Sequence, residues 1–210
     1  MLTNILPVVH GHGQQGGLRW KWLGLAALHT FGTALAAGAT GGILAAAAWT
    51  LGRSGFDPSY PASWTSVLIA LVYLPGQLGW VGWPPLLQST RQVPRRWAAD
   101  YPSWTTALLF GFGLGSGIYT RIITPAFYLL LLWPFVAQSP LLSVAVWMGY
   151  GVARSLNVWW LASTAPIGDP FSRASHLTGL LLKRTAWMSR SNAVVLFLVA
   201  WSLIARRYFG

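Results

Sequence analysis

Long apolar runs alternate with short polar stretches rich in proline, glycine and arginine along this 210-residue chain. A helix that crosses a bilayer needs about 20 apolar residues. By that measure the runs predict spans from about Trp22 to Leu51, Trp64 to Leu87, Trp104 to Val136, Leu141 to Ala162 and Asn192 to Ala205. The second contains Pro75 and ends in "WPPLL"; the third, the longest, contains Pro125 and Pro134. Trp20, Trp22, Trp49, Trp64, Trp97, Trp104, Trp133 and Trp187 gather near run ends, where an amphipathic ring suits the headgroup region. Between the last two runs, "DPFSRASHLTGLLLKRTAWMSR" mixes leucines with basic residues in the manner of a helix lying along a membrane surface. The pattern therefore predicts an all-α integral membrane protein. Its core is a bundle of about five transmembrane helices, joined by an interfacial amphipathic helix. Residues 22–210 form a single transmembrane domain behind an arm of residues 1–21, which lacks the layout of a signal peptide.

Composition sharpens that picture. The chain is 54% hydrophobic and 8% charged, whereas about a quarter of an average soluble domain is charged. So few charges cannot cover a water-facing surface. Cysteine is absent, which removes disulfides, thiolate metal sites and thiol redox chemistry. The net charge of +11 comes from arginines and lysines with only Asp57, Asp100 and Asp169 to oppose them. These basic residues predict contact with anionic lipid headgroups, and secondarily with acidic membrane-protein subunits. They are scattered among loops and form no stripe, which argues against nucleic acid. With the N-terminus cytoplasmic, nine basic residues fall inside and three outside (Arg53, Arg206 and Arg207). That asymmetry predicts an N-terminus on the cytoplasmic side, and the membrane expected is a bacterial inner one.

Small residues recur four apart at Ala34, Gly38 and Gly42, at Gly111 and Gly115, and at Gly113 and Gly117. Such spacing lets helix backbones approach closely. A substrate path is the other reading of the same glycines. Arg121 and Arg154 stand inside apolar runs that contain no acidic residue. An intramembrane arginine costs several kcal/mol, about 3 or more on insertion scales. Arg121 therefore either snorkels toward an interface or meets polar company: carbonyls freed by Pro125, an anion, or a partner subunit. Arg154 poses the same question, and Thr120 and Pro125 belong with Arg121 as a candidate anion- or partner-binding set. His29 sits on a small-residue face and offers two readings. It can hydrogen-bond to a neighbouring helix, or its neutral imidazole can ligate a haem or chlorophyll, with nearby glycines making room for the ring. His10 and His12 form a sparse metal-binding pair. No nucleophile–base pairing or phosphate-cradling loop is visible, so no enzymatic activity is expected.

Three stretches carry a resemblance. "HGHGQQGG" (His10 to Gly17) resembles the H-C-x-G-M-C-G-G motif of the TauE/SafE-like branch of the DsbD/CcdA membrane proteins, with Gly11 and Gln15 in the cysteine positions. "GIYTRIITPAF" resembles that family's T-P-C-x-G-P motif: Thr120 and Pro125 match, Arg121 replaces a proline, and Ile122 replaces the cysteine. "SVAVWMGYGVARSLNVWWLA" resembles the helix that follows. The resemblance implies the family's membrane scaffold without its redox activity, since thiol exchange needs a thiolate that Ile122 cannot supply. Two functions are then expected in order. The first is a non-catalytic accessory subunit of an electron-transport or photosynthetic membrane complex. The second is a small anion or metal-complex transporter.

Overall fold

A computed structural model of the chain describes residues 18–82, 94, 97–117, 125–164 and 185–209. The described residues are helical, with no strand among them. Helix α1 runs over Leu18–Arg53, 36 residues, and α2 over Ser59–Gln77. A single turn, α3 (Trp97–Asp100), precedes α4 (Ser103–Gly115). Then follow α5 (Ala126–Ala137), α6 (Pro140–Thr164) and α7 (Thr185–Phe209). By length and composition, one helix among the described residues is clearly able to cross a membrane, over Trp20–Arg53. Shorter apolar helices cover Ala126–Ala137 and Arg190–Ala205.

Local chemistry sets the ends. Alanine-rich α1 propagates easily and stops where Gly55 takes φ +86°. There the Phe56 N–H reaches the Leu51 carbonyl at 3.3 Å and the Gly55 N–H reaches that of Gly52, also at 3.3 Å. This is the left-handed glycine stop that satisfies the last carbonyls of a helix. Helix α2 repeats it at Gly79, φ +77°, with the Trp80 N–H on the Pro75 carbonyl at 3.0 Å. That stop corrects the second expected span: the helix begins at Ser59 and ends at Gln77, and residues 83–87 lie outside the described ones.

The largest departure is in the run from Trp104 to Val136. One continuous span was expected, yet helix α4 ends at Gly115 and a separate described helix covers Ala126–Ala137; residues 118–124 lie outside the described ones. Gly117 at φ +75° ends the first piece. Pro125, which has no N–H to donate backwards, starts the second. Each piece is about 20 Å or less in length, too short to span alone. Of the arm and the interfacial helix, residues 1–17 and 165–184 lie outside the described ones. Leu18 to Lys21 already belong to α1, and Thr185 to Arg190 to α7.

The described residues gather into two compact units. The first holds α1 as far as Thr40, α3, α4 and α6 from Val144 onward. At one end Trp22, Ala26 and Val158 form a small core with Leu23 and Trp159. Further along, contact is made by glycine: a Cβ on Gly111 would collide with the His29 carbonyl, and one on Gly115 with that of Thr33. Gly32 answers from α1, where a Cβ would lie 2.5 Å from the Leu108 carbonyl oxygen. Helix α6 reaches the same part of α1 through Gly151, where a Cβ would sit 2.7 Å from the Thr33 oxygen. Thr33, wholly buried, is thus enclosed from two sides. The second unit holds the rest of α1, α2, α5, the first turn of α6, and α7. Its core is Ala70, Leu129, Leu196 and Ala200, with Ile69, Tyr73, Leu74 and Val199 packed against it.

Candidate functional site

Of the residues singled out from sequence, His29, Arg154 and Pro125 are described. Arg121, Thr120, His10 and His12 lie outside the described residues.

His29 is buried in the first unit, in the middle of the glycine seam. Its Nδ1–H donates to the Ala107 carbonyl across to α4 at 3.3 Å. In the neutral ring that leaves Nε2 with a lone pair, and this atom is buried with no hydrogen-bond partner among the described residues. A metal-centred ring would have to approach at Nε2. At Gly32 and Gly111 the backbone of the facing helix comes close enough that a Cβ would collide with it. The contact to Ala107 is the hydrogen bond to a neighbouring helix that was one of the two readings. Thr30 and Thr33 turn their hydroxyls back to the Ala26 and His29 carbonyls at 2.8 and 2.7 Å, and Trp159 Nε1–H donates to Thr30 Oγ1 at 2.7 Å.

Arg154 is half-buried on α6 and finds its partner one turn away: Nη1 donates to Tyr150 Oη at 2.6 Å. The guanidinium carbon lies 5.7 Å from the Tyr150 ring centroid, and that ring meets fully buried Trp147 edge-on at 6.0 Å. Aromatic company of this kind lowers the cost of an arginine in an apolar run. The i, i+4 spacing of Tyr150 and Arg154 could have been read from sequence.

The second unit contains a site that sequence reasoning missed. A cleft of about 600 Å³ is lined by Asp57, Ser59, Tyr60, Ser63, Trp64, Val67, Val136, Ala137, Gln138, Leu203 and Ile204. The C-terminal ends of α5 and α7 and the start of α2 therefore share one end of this unit. Asp57 accepts the Ser59 N–H at 2.9 Å and the Gln138 Nε2–H at 2.8 Å, both on Oδ1. At the start of α2 the unpaired first-turn amides favour a negative charge. The Ser59 side chain, its backbone N–H and the Gln138 amide hold the Asp57 carboxyl below its usual range. Gln138 is the one non-glycine residue with positive φ among the described residues, at 49°. A left-handed conformation costs such a residue about 1–2 kcal/mol, which places its amide on Asp57. A smaller pocket of about 160 Å³ also uses Gln138, together with Trp49 and Arg53, whose guanidinium lies 4.7 Å from the Trp49 ring centroid. The sequence signal was present: an aspartate followed by Pro58 and Ser59 at a helix start, in a chain with almost no other acid.

Among the described residues no group of three or more His, Cys, Asp or Glu stands close enough to hold a metal ion. Comparison with protein-family models, with curated proteins and with solved structures returned no match.

Proposed function

We propose that the chain is a multi-pass membrane scaffold: a non-catalytic accessory subunit of a larger electron-transport or photosynthetic complex, held in a bacterial inner membrane with its N-terminus cytoplasmic. The observation that carries this reading is the apolar exterior of the described helices. Ile43 is 70% exposed, Leu68 61%, Leu141 83%, Leu156 58% and Trp201 57%. Large apolar side chains turned outward on α1, α2, α6 and α7 need lipid or another subunit to cover them. The interior of the first unit supports a structural role: Thr30, Thr33 and Arg154 each make hydrogen bonds within the chain. The resemblance to the DsbD/CcdA scaffold, stripped of its cysteines, points the same way.

A second reading, a small anion or metal-complex transporter, is favoured by the interrupted third run. Two half-length helices flanking Gly117 and Pro125 are the kind of broken helix that lines transport sites. Native mass spectrometry of protein extracted gently from its own membranes separates the two. Stoichiometric partners are expected, and Arg121→Leu is expected to weaken their retention while leaving insertion intact. A lone monomer or homodimer would put the transporter first.

A further inference from the structure

We propose that the cleft at the start of α2 is a binding site for the headgroup of an amine-bearing membrane lipid, an ethanolamine phospholipid. The proposal rests on the membrane reading above and goes beyond it by naming a ligand. In a chain with 14 basic and three acidic residues, an exposed carboxylate is the exception. Asp57 is held in position by the Ser59 N–H and the Gln138 amide, which converge on Oδ1, and by the Ser59 side chain, and its carboxylate is fully exposed to an incoming cation. Tyr60 and Trp64, one helical turn apart on α2, are partly exposed along the same cleft. A carboxylate beside aromatic rings suits an ammonium group, by charge and by the negative ring faces. The hydroxyls of Ser59 and Ser63 add acceptors for the three N–H donors of a primary amine, which a trimethylammonium cannot use. The remaining wall, Val67, Val136, Ala137, Leu203 and Ile204, is apolar and suits the start of an acyl chain. A volume of about 600 Å³ is in the range of small-molecule sites. Arg53, on the adjoining pocket that shares Gln138, supplies a cation for the headgroup phosphate. The ligand is therefore zwitterionic, unlike the anionic lipids that loop arginines attract in general.

The test uses the full chain, reconstituted with an equimolar mixture of ethanolamine, choline and glycerol phospholipids. Flotation with the vesicles comes first and tests membrane insertion alone; a chain that fails to insert removes the membrane reading and this proposal with it. Lipids retained on the inserted protein are then counted by native mass spectrometry. The wild type is expected to retain ethanolamine lipid over both others by at least about fivefold. Asp57→Asn is expected to abolish that preference, and Trp64→Leu to reduce it, while Asp100→Asn leaves it unchanged. Inserted wild-type protein without the preference, or an Asp57→Asn variant that keeps it, overturns the headgroup site and leaves the membrane reading standing.

Discussion

Replacing Gly111 by alanine probes one of the two tightest glycine contacts among the described residues of the first unit, the other being at Gly115. The added Cβ would lie against the His29 carbonyl oxygen, with the carbonyl carbon at 3.0 Å and Cα at 3.1 Å. These are backbone atoms of a helix, so no rotamer change can relieve the clash. Helices α1 and α4 must instead separate by roughly 1 Å to restore ordinary contact. A gap of that size forfeits roughly a quarter to a half of each dispersion contact along the seam. It also lengthens the 3.3 Å hydrogen bond from His29 to Ala107. Overpacking of this kind costs about 1–3 kcal/mol, and alanine recovers up to about 1 kcal/mol over glycine in helix propensity. The net expectation is a loss of roughly 1–2 kcal/mol. Gly149→Ala is the matched control, because a Cβ there meets nothing within 4 Å; it should be neutral or stabilising. Denaturant titration in a mild detergent, followed by far-UV circular dichroism, reads both. If Gly111→Ala proves as stable as Gly149→Ala, the backbone-to-backbone seam is not what holds these helices together.

Tyr150→Phe should cost about 1–2 kcal/mol by removing the hydroxyl that accepts from Arg154. A double-mutant cycle with Arg154→Met should return a coupling of about 1 kcal/mol, and a coupling near zero refutes the pairing. Asp57 predicts a pH dependence. Its carboxyl is held below the usual 3.8 in the folded state, so the unfolded chain binds the proton first as pH falls. The stability it contributes is present above about pH 4–5 and is lost as pH drops through the lower folded value. Denaturant midpoints at pH 6 and pH 3 should therefore differ more for the wild type than for Asp57→Asn or Gln138→Ala. A wild-type difference no larger than that of Asp57→Asn would show that the fold does not favour the charged form of this carboxyl.

The helical character of the chain and the approximate positions of α1, α6 and α7 follow from apolar runs, because hydrophobicity and helix propensity are local properties. The spacing of Gly111 and Gly115 also carried its packing role openly, since small residues four apart share a helix face. Other features were hidden by their dependence on distant residues. The run from Trp104 to Val136 is apolar throughout, so hydropathy alone reads it as one span; its interruption depends on the backbone conformation at Gly117 and the helix start at Pro125. The Asp57 partner Gln138 is 81 positions away in the chain, beyond the reach of any local pattern. The His29 hydrogen bond to Ala107 likewise joins residues 78 positions apart.

By itself, then, the sequence determined that this is a helical chain too poor in charge to cover itself with water-facing groups, and that it has no thiol chemistry. Those properties depend on composition and on neighbours within a helical turn. Only the tertiary structure decided which glycines face a backbone and which face open space, that Nε2 of His29 is sealed, and that a lone aspartate meets a strained glutamine beside two aromatic rings. These are contacts between segments far apart in sequence, and their distances arise only when the helices pack.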